Sequence, residues 1–219
     1  MIIDNRIISF LFGVNMSIRD TSIDPRLIDS ARSEFLEHGF LKADLKTICD
    51  NAGVTTGAVY KRYKGKEELF CAVVDDVVTE LNSFLESRSG YDISKLSDDE
   101  LRESWRMSYE TMIPMFQLLE SFGDDFRILI DKCSGTRFES FSHDYVIRMS
   151  RSYELFYREA YRRGIAKAKV SREEFHILLT SFWSAICEPF VHGLSHRQIE
   201  EHCRVICRFF DWAAVVKID

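Results

Sequence analysis

Residues 60–66, with the sequence YKRYKGK, carry four cationic side chains and no acidic one. Lysine and arginine make charge-assisted hydrogen bonds to phosphate and carboxylate oxygens, so the chemistry of this run is anion binding. The 219-residue chain has a formal net charge of −6, but residues 1–70 are neutral overall. Because the distribution of charge decides what a surface binds, an acidic total does not exclude a locally cationic binding face.

The cysteine and histidine residues show no spacing that is typical of a metal site or a catalytic centre. Six cysteines occur without a CxxC pair, and the group of His192, His196, His202, Cys203 and Cys207 has no standard ligand spacing. The chain also lacks a phosphate loop, a zinc motif and a nucleophile elbow. We therefore expect no metal, no cofactor and no catalytic residue, and thiols that stay reduced in the cytoplasm.

The elements that must position the cationic run are predicted to be helices. The chain has only three prolines and ten glycines, and apolar residues recur with a period of about 3.6 residues. Pro25 behind Asp24 fits the start of a first helix that stops at Gly39. Helices 66–89, 126–133 and 138–163 are predicted from apolar stripes and glycine stops, and we expect an all-α chain of about ten helices.

Later helix starts are marked by capping boxes, in which a serine is followed three residues on by glutamate or glutamine. Such pairs stand at Ser97, Ser171 and Ser195. Pro114 is expected to kink or divide the helix that begins at Ser97. The last two long helices are predicted over residues 172–191 and 196–216.

Two short helices directly before the cationic run are predicted to form a helix-turn-helix. Asp44 caps the first, Gly53-Val54-Thr55 makes the tight turn, and Thr55 caps the second. The second helix presents small side chains at its start and Tyr60 with Lys61 further along. Small residues allow a helix to approach the major groove of DNA closely, while the cations reach phosphates.

The stretch from residue 35 to 70 resembles the DNA-binding domain of the tetracycline-repressor family. That family typically shows F-x-x-x-G-F/Y, then I-A-x-x-A-G-V-S, then Y-x-x-F-x-x-K-x-x-L. The corresponding residues here are Phe35, Gly39-Phe40, Ile48-Cys49, Ala52-Gly53-Val54-Thr55, Tyr60, Tyr63, Lys66 and Leu69. Ala43 stands where the family often has a threonine that contacts phosphate, so DNA affinity is expected to depend more on Lys42, Lys46 and Arg62.

The resemblance implies contacts to DNA by position. Thr55 would cap the reading helix and touch a phosphate, Thr56, Gly57 and Ala58 would lie nearest the base edges, and Lys66 would meet a phosphate at the start of the fourth helix. The full set expected at DNA is Lys46, Thr55, Thr56, Gly57, Ala58, Tyr60, Lys61 and Lys66.

The resemblance implies a larger helical part that binds a ligand and dimerises. Aromatic and methionine side chains, which suit a mostly apolar ligand, crowd residues 105–157. Most of these belong to the core; the ligand contacts we expect among them are Trp105, Tyr109, Met112, Phe116, Met149 and Tyr153. In the last helix, apolar residues at alternating spacings of four and three residues indicate a seam, that is, a helix face packed between two subunits. Its residues are Ile199, Cys203, Ile206 and Phe210.

Three parts are therefore expected: a flexible extension over 1–20, a helix-turn-helix domain over 21–68 and a ligand-binding and dimerisation domain over 69–219. Residues 1–15 look dispensable, and the apolar run 7–14 is shorter than the roughly 20 residues of a membrane span. The expected function is a ligand-released repressor that binds a palindromic operator as a homodimer, and not an enzyme. Alternatives are a regulator with a protein partner or no effector, an all-α enzyme, and a helical bundle that has lost DNA binding.

Overall fold

The structure is a computed structural model that describes residues 25–89 and 92–218. Within these ranges it contains eleven α-helices, one 3-10 turn and no strand. The prediction of an all-α chain is therefore confirmed. The expected extension over 1–20 and the Asp24 cap lie outside the described residues.

Three helices form a small bundle at the start of the described chain: α1 (Pro25–Lys42), α2 (Leu45–Ala52) and α3 (Thr56–Arg62). The helical conformation of α1 is interrupted at Gly39, which has a φ of 69°, so the expected stop is a kink followed by one more turn. Phe35, Ile48 and Val59 are fully buried between the three helices. This shared core fixes the angle between α2 and α3.

The long helix α4 (Lys66–Ser89) follows the small bundle and packs against α1. Its buried stripe contains Leu69, Phe70, Val73, Val74, Val77 and Leu81. The stripe packs against α1 and against two later helices, α7 (Asp124–Asp131) and α8 (Phe141–Arg162). The periodicity of apolar residues therefore outweighed the preference of valine for strands.

Between α4 and α7 lie a 3-10 turn (Ile93–Lys95), α5 (Asp98–Glu103) and α6 (Tyr109–Ser121). The prediction that Pro114 divides the helix from Ser97 was wrong in its position. The break lies at residues 104–108, because Ser108 caps a new helix with its side chain, and Pro114 stands inside α6. The capping box at Ser97 with Glu100 is confirmed.

The chain ends in α9 (Arg172–Val191), α10 (His196–Phe209) and α11 (Trp212–Val216). The bounds predicted for α9 are confirmed, but the helix predicted over 196–216 is two helices. Asp211 accepts a hydrogen bond from the backbone N–H of Ala214 at 3.0 Å and so starts α11 anew. α9 packs on α8 and α7, while α10 packs mainly on α6.

The seam expected between two subunits lies inside one chain. Ile199, Cys203 and Ile206 have exposed fractions of 3%, 0% and 4%, on the helix that packs against α6. Phe210 comes directly after the end of α10 and packs on Phe182, with ring centroids 5.0 Å apart. Regular apolar spacing marks a buried helix face, but it does not say whether the cover comes from the same chain.

Polar contacts join the small bundle to the larger helical part. The Arg32 guanidinium of α1 donates to both carboxylate oxygens of Asp125 in α7, at 2.5 and 3.0 Å. At the far end of α1, the backbone N–H of Phe40 donates to the carbonyl of Lys132 at 3.0 Å. α1 is therefore held at two points by α7 and the residue directly after it. None of the helices in the described ranges has the length and apolar character to cross a bilayer.

Candidate nucleic-acid interface

The turn between α2 and α3 is built by local hydrogen bonds. The Asp44 carboxylate caps α2 by accepting from the backbone N–H groups of Lys46 and Thr47, at 3.3 and 3.1 Å. These hydrogen bonds, the one from Lys46 first, hold the pKa of Asp44 below its ordinary value. Gly53 ends α2 with φ 68° and ψ 33°, a left-handed conformation that favours glycine. The helix-turn-helix predicted from the spacing is therefore present.

Helix α3 turns one face inward and one face to solvent. Val59 is fully buried and Tyr63, directly after the helix, is 8% exposed. Thr55 caps the helix, its hydroxyl accepting from the backbone N–H of Ala58 at 3.2 Å. The residues expected at DNA lie on the other side and are exposed: Thr55, Thr56, Gly57, Ala58, Tyr60 and Lys61.

The start of α3 is sterically open. A Cβ atom added to Gly57 would meet only the Thr55 hydroxyl oxygen within 4 Å, at 3.9 Å. The absence of a side chain there is therefore not required by packing within the chain. It leaves a flat surface through which the helix backbone can approach another molecule.

Exposed cationic side chains stand on both helices of the motif. Lys46 on α2 and Lys61 and Arg62 at the end of α3 are all exposed. Lys64 is exposed as well, and its ammonium lies 3.8 Å from the Glu68 carboxylate. Lys46, Lys61 and Arg62 thus add exposed positive charge to the helix-turn-helix.

Lys66 has a different position from the one expected for a phosphate contact. Its ammonium donates to the carbonyl oxygens of Ala43 and Leu41, at 2.8 and 3.4 Å, and lies 4.6 Å from the centre of the Phe40 ring. Phe40 and Leu41 belong to the last turn of α1, and Ala43 belongs to the connection between α1 and α2. Lys66 therefore ties the beginning of α4 to the end of α1 and the residue after it, and a phosphate would have to share its ammonium with two carbonyls.

Two polar residues that position α2 are not apparent from the sequence. The Glu34 carboxylate, 8% exposed, accepts from the backbone N–H of Asp44 at 2.9 Å. The Ser30 hydroxyl donates to the carbonyl of Ile48 at 2.9 Å. Both side chains come from α1, so α1 orients the first helix of the motif. No local pattern marks them, because their partners lie 10 and 18 residues away.

The six residues expected to contact a ligand fall into separate groups. Trp105 and Tyr153 are in edge-to-face contact, with ring centroids 6.2 Å apart, and line a cleft with Ser104 and Phe156. The cleft offers about 10 Å³, roughly the space of one water molecule.

Of the remaining four residues, three lie on α6, and Met149 lies on α8 one helical turn before Tyr153. Tyr109 and Phe116 of α6 face α10: the Tyr109 hydroxyl donates to Glu200 at 3.2 Å, and the Phe116 ring packs on His202. Met112 is half-buried on α6, and Met149 is buried on α8.

No group of three or more histidine, cysteine, aspartate or glutamate side chains could hold a metal ion in the part of the chain that the structure describes. Cys203 and Cys207, one helical turn apart on α10, are free thiols joined by a hydrogen bond. That hydrogen bond and burial raise the pKa of Cys203. The same hydrogen bond lowers the pKa of Cys207.

The N-terminal region of the chain matches a known protein family. Residues 27–73 match the family described as bacterial regulatory proteins of the tetR family. The HTH-type transcriptional regulator UidR of Escherichia coli K12 is 32% identical over 60 residues, which are 27% of this chain and 31% of UidR. The chain thus spans about a third of the length of this curated relative.

Two solved structures share the fold over most of the chain. NalD, the secondary repressor of the MexAB-OprM multidrug efflux pump in Pseudomonas aeruginosa, has a TM-score of 0.57 and 23% identity, covering 85% of this chain and 94% of NalD. A complex of SmeT with triclosan has a TM-score of 0.56 and 21% identity, covering 87% and 90%. The family match over residues 27–73 is to regulatory proteins. Residues 27–73 thus match the tetR family of bacterial regulatory proteins, and the helical fold of the chain is similar to the folds of NalD and SmeT.

Proposed function

We propose that the chain is a cytoplasmic transcriptional repressor that binds a palindromic operator as a homodimer and is released by a small effector. The observation that carries the proposal is the exposed, sterically open start of α3, in a helix-turn-helix that also exposes cationic side chains. An α-helix of this kind fits the major groove, where base edges can be read.

The contacts to DNA divide by chemistry. Thr56, Gly57 and Ala58 are assigned to the base edges, because they form the first turn of α3. Thr55, Tyr60, Lys61 and Lys46 are exposed on the same motif and are assigned to phosphates, which position a protein without reading sequence. Lys66 is assigned a supporting role, since its ammonium already binds two carbonyls.

The dimer surface is assigned to the outer faces of α9 and α10 instead of the buried seam. Exposed apolar side chains stand there: Ile177 on α9 is 57% exposed, and Val205 and Phe209 on α10 are 51% and 78% exposed. Ser181 and Ser184 lie on the exposed side of α9 and are small enough for close helix packing. Two copies related by a two-fold axis would bury these faces in a four-helix contact.

An effector would act by changing the distance between the two reading helices. A ligand that binds one conformation better shifts the population toward it, by no more than its difference in affinity. The Arg32–Asp125 pair gives such a shift a path to α1, because α7 also packs on α8 and α9. SmeT, a protein of similar fold, has been solved in complex with triclosan and is a precedent for a small ligand.

Selection from a pool of random duplexes tests the proposal. The full chain should enrich an inverted repeat whose half-site centres are about 34 Å apart, one turn of DNA, or a small multiple of it. A parallel selection with Gly57→Leu should enrich no such repeat. Equal enrichment by both proteins, or none by the full chain, would contradict the assignment of α3 as the reading helix.

A further inference from the structure

Two free thiols lie one helical turn apart on α10. Cys203 is fully buried in the face that packs against α6, and Cys207 is half-buried. The Cys203 thiol donates a hydrogen bond to the Cys207 sulfur, so the two sulfur atoms are in contact. Two thiols in contact can together lose two electrons and two protons and form a disulfide.

The spacing of the two cysteines is close to that of a disulfide. Residues four apart on an α-helix have Cα atoms about 6 Å from each other, within the range of about 4.4–6.8 Å usual for a disulfide. Their Cβ atoms lie about 5–6 Å apart and must come within about 4.5 Å. Closure therefore requires a local change in the helix of about 1 Å.

The position of Cys207 in α10 allows this change. The helix ends at Phe209, so Cys207 lies in its last turn. Carbonyl groups in a last turn lack helical partners, and helix ends fray. Phe210, directly after the helix, has a non-helical backbone with φ −93° and ψ 85°. The last turn is thus the part of α10 that can adjust with least effect on the contact between α10 and α6.

The two thiols differ in a way that suits a stepwise oxidation. The hydrogen bond from Cys203 lowers the pKa of Cys207 against the opposing effects of burial and of Glu110, and the thiolate is the reactive form of cysteine. The same hydrogen bond and burial raise the pKa of Cys203, which keeps its proton. Cys207 is also the more exposed of the two. An oxidant therefore reacts first with Cys207, and Cys203 is in place as its partner.

We propose that Cys203 and Cys207 form a redox-active dithiol that a hydroperoxide converts to a disulfide within α10. The Cys207 thiolate attacks one peroxide oxygen, the O–O bond breaks, and Cys207 becomes a sulfenic acid while the departing hydroxide or alkoxide takes a proton from solvent. The Cys203 sulfur then attacks the Cys207 sulfur, the S–O bond breaks, and water leaves with the Cys203 proton. The site goes beyond the proposed function, since its chemistry requires neither DNA nor an effector.

Peptide mass spectrometry tests the site directly, because Arg204 lies between the two cysteines. Trypsin cuts after Arg197, Arg204 and Arg208, so residues 198–204 separate from residues 205–208 unless a disulfide joins them. The full chain is first reduced, then treated with hydrogen peroxide, alkylated and digested without a reductant. We expect the two peptides to be recovered joined, and to separate again after dithiothreitol.

Cys71 supplies the matched control within the chain. It is half-buried like Cys207, but it is the one cysteine of α4, and burial raises its pKa. Alkylation at successive times after peroxide addition should show Cys207 reacting at least about tenfold faster than Cys71, because more of it is thiolate.

Two variants separate the roles within the pair. In Cys203→Ser, Cys207 has no thiol with which to form a disulfide, so its oxidation should pass to the sulfinic acid, which dithiothreitol does not reverse. In Cys207→Ser, the buried Cys203 should stay reduced. Circular dichroism shows whether each variant keeps its fold, and the measurement on the unsubstituted chain stands if a variant unfolds.

The inference is overturned if peroxide leaves the two peptides separate, if Cys71 reacts as fast as Cys207, or if Cys207 is found joined to a cysteine other than Cys203.

Discussion

Gly57 separates the demands of folding from those of DNA binding, because its missing side chain is not required by any neighbour within the chain. A leucine there is expected to leave the free energy of unfolding unchanged or to raise it by up to about 1 kcal/mol, since glycine is a poor helix former. Its side chain would hold the start of α3 away from the base edges. Binding to the selected operator should fall about a hundredfold or more.

Gly57→Ala is the matched control, because it gains the same helix propensity but adds only a methyl group. It should bind DNA more tightly than the leucine variant and unfold at similar or higher urea concentration. Urea denaturation and fluorescence anisotropy with a labelled duplex measure both quantities. A large loss of stability in the leucine variant would place residue 57 in the core and refute the position of α3.

Lys66 should contribute more to the stability of the reading motif than to the electrostatics of DNA binding. Removing its ammonium in Lys66→Met leaves the carbonyls of Leu41 and Ala43 without this donor and keeps most of the aliphatic side chain. We expect a loss of about 1 kcal/mol in the free energy of unfolding, modest because the side chain is only partly buried. The dependence of log Kd on log salt concentration should stay unchanged.

A phosphate contact predicts the opposite pattern. Loss of one such contact makes the salt dependence shallower by about 0.9 and leaves the stability of the free protein nearly unchanged. Lys61→Met is the comparison, since Lys61 is exposed on α3 and assigned to phosphate. A salt dependence that changes equally in both variants would restore the expectation drawn from the sequence for Lys66.

Residue roles were predictable from the sequence where the partner is local. Asp44 and Thr55 bond to backbone groups two or three residues ahead, so a cap can be recognised from its residue type and its position before an apolar helical pattern. The partners of Lys66 and Glu34 lie 23 and 10 residues away along the chain. Only the packing of α1, α2 and α4 brings these groups together, and no single sequence pattern encodes it.

At the scale of helices, apolar periodicity predicted most of the helices but not which element packs on their buried faces. The stripe of Ile199, Cys203 and Ile206 was identified correctly as a buried face, yet α6 and not a second subunit covers it. The break after α10 was missed because Asp211 starts α11 without a glycine or proline to announce the turn. Tertiary packing decides both which helix covers the stripe and where α10 ends.

The two faces of α10 give opposite predictions for a charged substitution. Ile206→Glu places a carboxylate in the contact with α6, and we expect the loss of several kcal/mol or of the fold itself. Phe209→Glu lies on the exposed face and should change the stability of a single subunit by less than about 0.5 kcal/mol. If that face joins two subunits, this variant should sediment as a folded monomer with weak DNA binding.

Circular dichroism and analytical ultracentrifugation of both variants distinguish the faces. A helical, monomeric Ile206→Glu variant would return the interface to the buried seam. A Phe209→Glu variant that remains a dimer would move the interface elsewhere on the surface of the chain.

At the scale of the whole molecule, the reading motif and the larger helical part are one packed unit. Arg32 and Asp125 form a bidentate pair across 93 residues of sequence, and Phe40 bonds to the carbonyl of Lys132. These long-range contacts could not be predicted from the sequence. They provide a physical route for a change near α7 to move α1, and with it the angle of α2 and α3.

The central claim is that the chain binds specific DNA through α2, the turn and α3. Hydrogen–deuterium exchange of the full chain, with and without the selected duplex, tests it most directly. The selected duplex should slow exchange of backbone amides over residues 45–63, and a scrambled duplex at the same concentration should have a much smaller effect. Bound DNA that leaves exchange in this segment unchanged, or equal slowing by both duplexes, would contradict the account.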